Sequence, residues 1–423
     1  MGGLARRVSY IKAFKTRSNA EVPTLSVDAG NLFTDDRFSA GQLPTEAGIK
    51  NRWVVKGYGD YRNDAANISY ADLPYLGELL KKDGYDQRVA DLPFIKKLVS
   101  ANVVPINDSL ITPAPYVIRE IALKRGNPGH KIRVGIVGFT EEKPVGPAAK
   151  ESVYGPFRID DPFQAAKRVL PELKSKTDFI VALAYMDQGL AQRLASENPE
   201  IDSVIGARQV SAMDEPVHFS RATITYSYNQ TKYLGELRVY VKNDGSIENQ
   251  LNRYVALDST IPDDPAVVEV VKTAHNEFTN EQSKNAVQQT GDSHSSGILE
   301  NANFAFVGVD TCATCHAKEQ EIWQKSGHAH AMDTLEKKNE QFDTECVGCH
   351  VVGFQKGGFQ SLVSTPQYAN VQCEACHGPG RQHAQNPSKG YGFMPTPVGC
   401  VQCHTKMNSP DFNFETYWPK VQH

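Results

Sequence analysis

Eight cysteines constrain this chain more than any other feature. All lie beyond residue 310, as Cys312 and Cys315, Cys346 and Cys349, Cys373 and Cys376, Cys400 and Cys403. Each pair is Cys-x-x-Cys, and each is followed at once by a histidine: His316, His350, His377 and His404. Cys-x-x-Cys-His is the attachment signature of c-type haem. Two thiols add across the two porphyrin vinyl groups, and two intervening residues let both sulfurs reach from one short turn. The next side chain then lies beneath the iron and supplies an axial imidazole. Zinc ribbons also use paired Cys-x-x-Cys units, but zinc gives no reason for a histidine after every pair. Histidine is 12 of 423 residues, roughly 3%, so four chance hits have a probability of about one in a million. A disulfide framework meets the same difficulty. The sequence therefore predicts four haem c groups, the eight cysteines as attachment points, and His316, His350, His377 and His404 as proximal iron ligands.

For the opposite face of each iron, His294, His328, His330, His383 and His423 lie within reach in sequence. Bis-histidine ligation closes both axial positions and favours low potentials, whereas methionine raises them. Met332, Met394 and Met407 are near, but the histidines suffice without them. His130, His218 and His275, in the N-terminal part, read as surface residues. So short a segment for four cofactors makes the porphyrins themselves the core and forces them close together. Short helices and loops with almost no sheet are expected, with glycines such as Gly378 and Gly380 letting the backbone wind around flat groups.

The rest of the chain has ordinary globular composition, with 40% hydrophobic and 22% charged residues. A net charge of −4 gives no reason to expect nucleic acid as a partner. No run of eighteen apolar residues exists, so no transmembrane segment is expected. Strand-length apolar runs fall at 24–27, 103–106, 133–137, 179–184, 204–205, 223–226 and 237–241. Helical periodicity appears over 2–14, 91–100, 162–174 and 189–196. This alternation predicts an α/β domain over 1–260. A helix over 265–278 and a polar linker over 280–302 fill the stretch 261–303, and the haem domain occupies 304–423.

The haem segment resembles the tetrahaem cytochrome c-554 family. The stretch Phe306-Val-Gly-Val-Asp-Thr-Cys-Ala-Thr-Cys-His316 is followed by Trp323-Gln-Lys-Ser-Gly-His328-Ala-His330. This is similar to the family's first haem site, then tryptophan, then Ser-x-His-Ala. The resemblance implies that His328 is a distal ligand and leaves His330 for a different iron. Cys373-Glu-Ala-Cys-His377-Gly-Pro-Gly-Arg-Gln-His383 resembles the third site, where a Gly-Pro-Gly turn swings a histidine back toward a haem. The closing aromatic run Tyr417-Trp418 through His423 is similar to relatives that end on a ligand histidine. In some relatives one haem is five-coordinate, so one distal position can be empty.

The N-terminal region resembles the calcineurin-like metallophosphoesterase domain of 5′-nucleotidases. Leu25-Ser-Val-Asp28-Ala-Gly-Asn31 is similar to its Asp-Ala-Gly-Asp motif, Asn63 to Asn67 to the approach to Gly-Asn-His, and Asp202 to Gly206 to the strand before Gly-His-x-His. The resemblance implies a layered α/β sandwich whose first strand is missing. The metal ligands fail one by one: Asn31 stands for the bridging aspartate, Ile68 follows Asn67 in place of histidine, Tyr185 and Met186 replace another histidine, and Ala207, Arg208 and Gln209 replace the last pair. Two-metal hydrolysis needs carboxylate and imidazole ligands, so an inactive scaffold or docking module is expected. Asp28, Asp64 and Asp72 read as turn or fold residues.

These readings predict an electron-transfer protein rather than an enzyme. Its partners would be other multihaem cytochromes or a membrane quinol-linked complex, and haems could continue between subunits in a homo-oligomer or filament. An oxidoreductase acting on a small nitrogen or sulfur substrate at a five-coordinate haem is the alternative, and a metal-dependent phosphoesterase a third. Haem c is attached outside the cytoplasmic membrane, so a periplasmic or extracellular location is expected. The start Met1-Gly-Gly-Leu-Ala-Arg-Arg lacks the apolar stretch of a secretory signal; a signal peptide and a first strand are expected upstream of Met1.

Overall fold

The fold is taken from a computed structural model. The structure describes residues 3–18, 22–33, 45–60, 63–123, 129–143, 154–208, 216–219, 221–226, 233–291, 306–338, 340–341, 344–354, 356–360, 362, 365–405 and 408–423. The chain divides into two compact units, Met1–Ala274 and His275–His423.

The first unit is a layered α/β sandwich. Its elements run α1 (Leu4–Ser18), β1 (Val27–Asp28), α2 (Thr45–Asp60), β2 (Ala65–Asn67), α3 (Leu73–Leu79), α4 (Tyr85–Asp91), β3 (Leu98–Val99), β4 (Val103–Pro105), β5 (Tyr116–Ala122) and β6 (Lys131–Thr140). They continue with β7 (Phe157–Ile159), α5 (Pro162–Lys176), β8 (Phe179–Tyr185), α6 (Gln188–Glu197), β9 (Ser203–Gly206), β10 (Val217–Phe219), β11 (Ala222–Tyr226), β12 (Tyr233–Val241) and β13 (Ile247–Ala256), and α7 (Pro265–Gly291) begins in this unit and ends in the second. Six strands form one sheet in the order β10-β11-β9-β8-β6-β5, and a parallel sheet has the order β1-β2-β3.

β8 is Phe-Ile-Val-Ala-Leu-Ala-Tyr and wholly buried, the near-continuous apolar run of a strand covered on both faces. Its alternation divides two apolar layers. Ile180, Ala182 and Ala184 pack with Val137 and Phe139 against α5 and α6. Phe179, Val181 and Leu183 pack with Ile132, Val134 and Ile136 toward Ala65, Val99 and hairpin residues Val239 and Ile247. Asp161 caps α5 by accepting the Phe163 and Gln164 N–H groups, with Pro162 at the first position.

The periodicity over 91–100 predicted one helix, and the structure corrects this. α4 ends at Asp91, a 3-10 turn spans Pro93–Lys97, and β3 follows. Pro93 has no N–H to continue α4 and starts a fresh turn instead. The first predicted strand lies slightly later, at Val27–Asp28. The polar 280–302 stretch is a helix as far as Gly291, because α7 runs through it; residues 292–305, with His294, lie outside the described residues. Gln209 and Met407 also lie outside them.

The second unit contains short helices: α8 (Val309–Ala313), α9 (Ala317–Gln324), α10 (Ala331–Glu336), α11 (Thr344–Val347), α12 (Cys373–His377), α13 (Arg381–Gln385), α14 (Pro397–Cys400) and α15 (Phe414–Tyr417). Among its described residues the β-structure is a single bridge between Val351 and Ala369. Its one apolar cluster is small, built on Met332, Leu335, Val347, Val351 and Phe359.

Candidate functional site

Each Cys-x-x-Cys-His motif folds as a tight turn. The His316 N–H returns to the Cys312 carbonyl at 2.9 Å, and the His404 N–H to the Cys400 carbonyl at 2.9 Å. All eight cysteines are free of disulfides. Thiols of different motifs adjoin. Cys312 and Cys373 share a hydrogen bond, which pushes the Cys312 thiol up and holds that of Cys373 down at about 7. Burial, then the Cys349 thiol, raises Cys403 to about 12. Cys376 and Cys400 are near enough to act on each other electrostatically. The contacts therefore link the motifs in the order first, third, fourth, second.

The histidines pair across the unit. Ring centroids are 6.1 Å apart for His316 and His383, 6.1 Å for His328 and His404, and 5.8 Å for His377 and His423. Two imidazole nitrogens each about 2 Å from a shared metal put their ring centroids about 6 Å apart. All three pairs have this separation. Several Nδ1 atoms already have other partners: the Ala331 carbonyl for His350 at 2.6 Å, the Phe393 carbonyl for His377 at 2.9 Å, the Val421 carbonyl for His423 at 3.0 Å, and the Ser409 hydroxyl for His404 at 3.2 Å. A proton held at Nδ1 leaves Nε2 as the metal-facing atom. Burial lowers the pKa of His328 and of His404, favouring the neutral form that ligates.

His350 and His330 are outside these pairs. The His350 ring rests on α10, and His330 lies 3.3 Å from Asp333. Of the methionines, Met332 is buried in the apolar cluster and Met394 is 81% exposed. Phe393, Val398 and Val401, near it in sequence, are also exposed. The residues present fit c-type haem.

The loops that aim the histidines are anchored from outside the motifs. The Trp323 indole donates to the Val371 carbonyl at 2.7 Å, and the Val371 N–H donates to the His328 carbonyl at 3.1 Å. Gly378 has φ +87° immediately after His377 and opens the turn toward His383. Tyr391 stacks on His383 and Phe412 on His404. The sequence reading named neither of these rings, nor Gln372 and Glu374, which flank Cys373 and are buried. Glu374 was legible only as a carboxylate inside an attachment motif.

In the first unit, several polar side chains near the positions that resemble phosphoesterase metal ligands are engaged within the protein, while the buried Asn67 Oδ1 accepts no hydrogen bond among the described residues. The buried Asp72 carboxylate accepts N–H groups of Asn31, Leu32, Phe33 and Ser69 at 2.7–3.1 Å. Burial raises its pKa to about 6 against the pull of those donors. Asn67 donates to the carbonyls of Ala29 and Phe139. Arg208 pairs with Glu141, and Tyr185 packs edge-on against Tyr70. Asp28 pairs with Arg7, and Asp64 accepts the Ser26 N–H. Among the described residues no group of three or more His, Cys, Asp or Glu side chains converges to hold a metal ion. No helix among them is long and apolar enough to cross a membrane.

Residues 311–378 match the family described as cytochrome c554 and c-prime. A cytochrome c-554 from Nitrosomonas europaea is 33% identical over 137 residues, covering 28% of this chain and 58% of that protein. An apyrase from Tabanus yao is 24% identical over 315 residues, covering 69% of this chain and 51% of that protein. The Thermus thermophilus sulfate thiohydrolase SoxB in complex with glycerol matches with a TM-score of 0.52 at 16% identity, over 66% of this chain and 48% of that one. The chain thus spans about half the length of the relatives it matches. The molecule joins an α/β unit of metallophosphoesterase-like fold to a C-terminal segment that matches the cytochrome c554 and c-prime family over residues 311–378.

Proposed function

We propose that this protein is a multihaem electron carrier working in the periplasm or outside the cell, with four haem c groups held by its second unit. The observation that carries the reading is the set of three imidazole pairs at iron-bridging separation, each joining one motif histidine to a histidine outside the motifs. His383, His423 and His328 are accordingly the distal ligands for the first, third and fourth sites. Bound haem c supplies a one-electron ferric–ferrous couple at each site. The chain's own part is to fix each group through two thioethers, close three irons to small molecules, and keep the motifs adjacent in the order first, third, fourth, second. Redox partner proteins would take and give electrons at this unit. The first unit serves as scaffold or docking module, since Asn31, Ile68, Ala207 and Gln209 stand where the resemblance would place carboxylate and imidazole metal ligands.

One observation favours a second reading at one site. His350 has no imidazole opposite it among the described residues, which leaves the second site a candidate for a small nitrogen or sulfur ligand. Reductive titration of purified native protein under anaerobic conditions tests the main reading. Four electron equivalents per chain are expected; uptake of fewer than four contradicts it.

A further inference from the structure

Glu374 occupies one of the two spacer positions inside the third motif, a slot that attachment chemistry leaves free, yet it is only 5% exposed. Its carboxylate accepts the N–H groups of Val307 at 3.0 and 3.1 Å, Gly308 at 2.9 Å and Gly380 at 2.6 Å. Three converging backbone donors suit an anion and fix it in place. On the other side of Cys373, Gln372 is 4% exposed. Its amide oxygen accepts the Val309 N–H at 2.8 Å, and its amide nitrogen donates to the Gln367 and Ala369 carbonyls at 2.8 and 2.7 Å.

The donors belong to two separate arms of the first site. Val307, Gly308 and Val309 lead into α8, which carries Cys312. Gly308 is held at φ +79°, where a side chain would be strained. Gly380 leads into α13, which carries His383. His316 and His383 are the pair 6.1 Å apart. One side chain of the third motif thus grips both arms that face each other across the first iron.

We propose that Glu374 is a positioning residue for the first haem, setting the mutual orientation of His316 and His383, and that its buried negative charge holds the reduction potential of that haem down. The sign follows from electrostatics: reduction adds an electron beside a fixed anion in a poorly screened interior, so the ferric form is favoured. Gln372, neutral and aimed at the same stretch, supplies position without charge. This inference rests on the reading that His316 and His383 share an iron.

The test uses the full haem-loaded protein with Glu374→Gln and Glu374→Asp. Readouts are mass, electron paramagnetic resonance and potentiometric titration. Glu374→Gln is expected to shift the low-spin signal of the first site and raise the potentials of the first haem and of the third, whose cysteines flank it, leaving the second and fourth in place. Glu374→Asp, which keeps the charge, is expected to stay nearer the parent. Loss of haem from Cys312 and Cys315 alone in Glu374→Gln also supports the role. Four haems with parental signals and potentials in Glu374→Gln overturn it. If Glu374→Gln does not accumulate, Glu374→Asp, with its shorter reach, decides: one shifted low-spin signal with four haems retained supports the role, and parental signals throughout or loss of all four haems overturns it. Parent protein lacking low-spin bis-imidazole signals would instead sink the underlying ligation.

Discussion

His377 and His423 lie with their ring centroids 5.8 Å apart, one inside an attachment motif and the other beyond the aromatic run that ends the sequence. The separation suits one metal between two imidazoles, and the two Nδ1 atoms are already engaged by the Phe393 and Val421 carbonyls. The closing turn, with Phe414 stacked on Trp418 at 5.5 Å, brings His423 beside His377.

Removing that imidazole opens one iron. In His423→Ala one low-spin signal is expected to disappear and a high-spin signal to take its place, with the other low-spin signals unchanged. His423→Met is expected to restore six-coordination at a higher potential, because thioether ligation favours the ferrous state. Unaltered spectra in His423→Ala would rule out this residue as a ligand.

His330 supplies the contrast. Its imidazole faces Asp333 rather than another histidine, so His330→Ala is expected to leave the count of low-spin haems as in the parent, whereas His328→Ala lowers it by one. Loss of a low-spin signal in His330→Ala would place a fourth pair where none is expected. By the same reasoning, nitrite or hydroxylamine added to the parent is expected to perturb one haem, the one held by His350.

On the proposed reading each motif attaches its own porphyrin. Double substitution of Cys400 and Cys403 by alanine is expected to lower the mass of the intact protein by one haem and leave the other three. An unchanged mass would show that these thiols hold no porphyrin.

The first unit depends on Asp72 for folding. Asp72→Ala strands four backbone N–H groups in a buried loop. Leaving such donors unpaired costs on the order of 3 kcal/mol, read as a lower denaturant midpoint for the first unit.

Manganese or zinc added to purified protein is expected to bind without defined stoichiometry and to give no phosphate-ester hydrolysis, because Asn31, Ile68, Ala207 and Gln209 replace the carboxylate and imidazole ligands that two-metal hydrolysis needs. Stoichiometric metal with turnover would return the phosphoesterase reading.

The attachment chemistry was legible because a motif of five residues contains all of it. For the distal positions the sequence offers only a set of candidates. Nothing local in His-Ala-His distinguishes His328 from His330; the structure places the His328 ring 6.1 Å from that of His404 and the His330 ring beside Asp333. Glu374 escaped because its partners, Val307 and Gly380, lie far from it in the chain or beyond a turn. In the first unit, β8 announced itself by an unbroken apolar run. β2 did not, since Ala65–Asn67 is three residues long and set by its neighbours β1 and β3. The helix expected over 91–100 failed at Pro93, a local signal that the apolar period outweighed.

Quantified electron paramagnetic resonance of the oxidised native protein tests the ligation most directly. At least three low-spin ferric haems per chain are expected, at the sites of His316, His377 and His404. Fewer than three, or no ferric haem signal, would contradict the account.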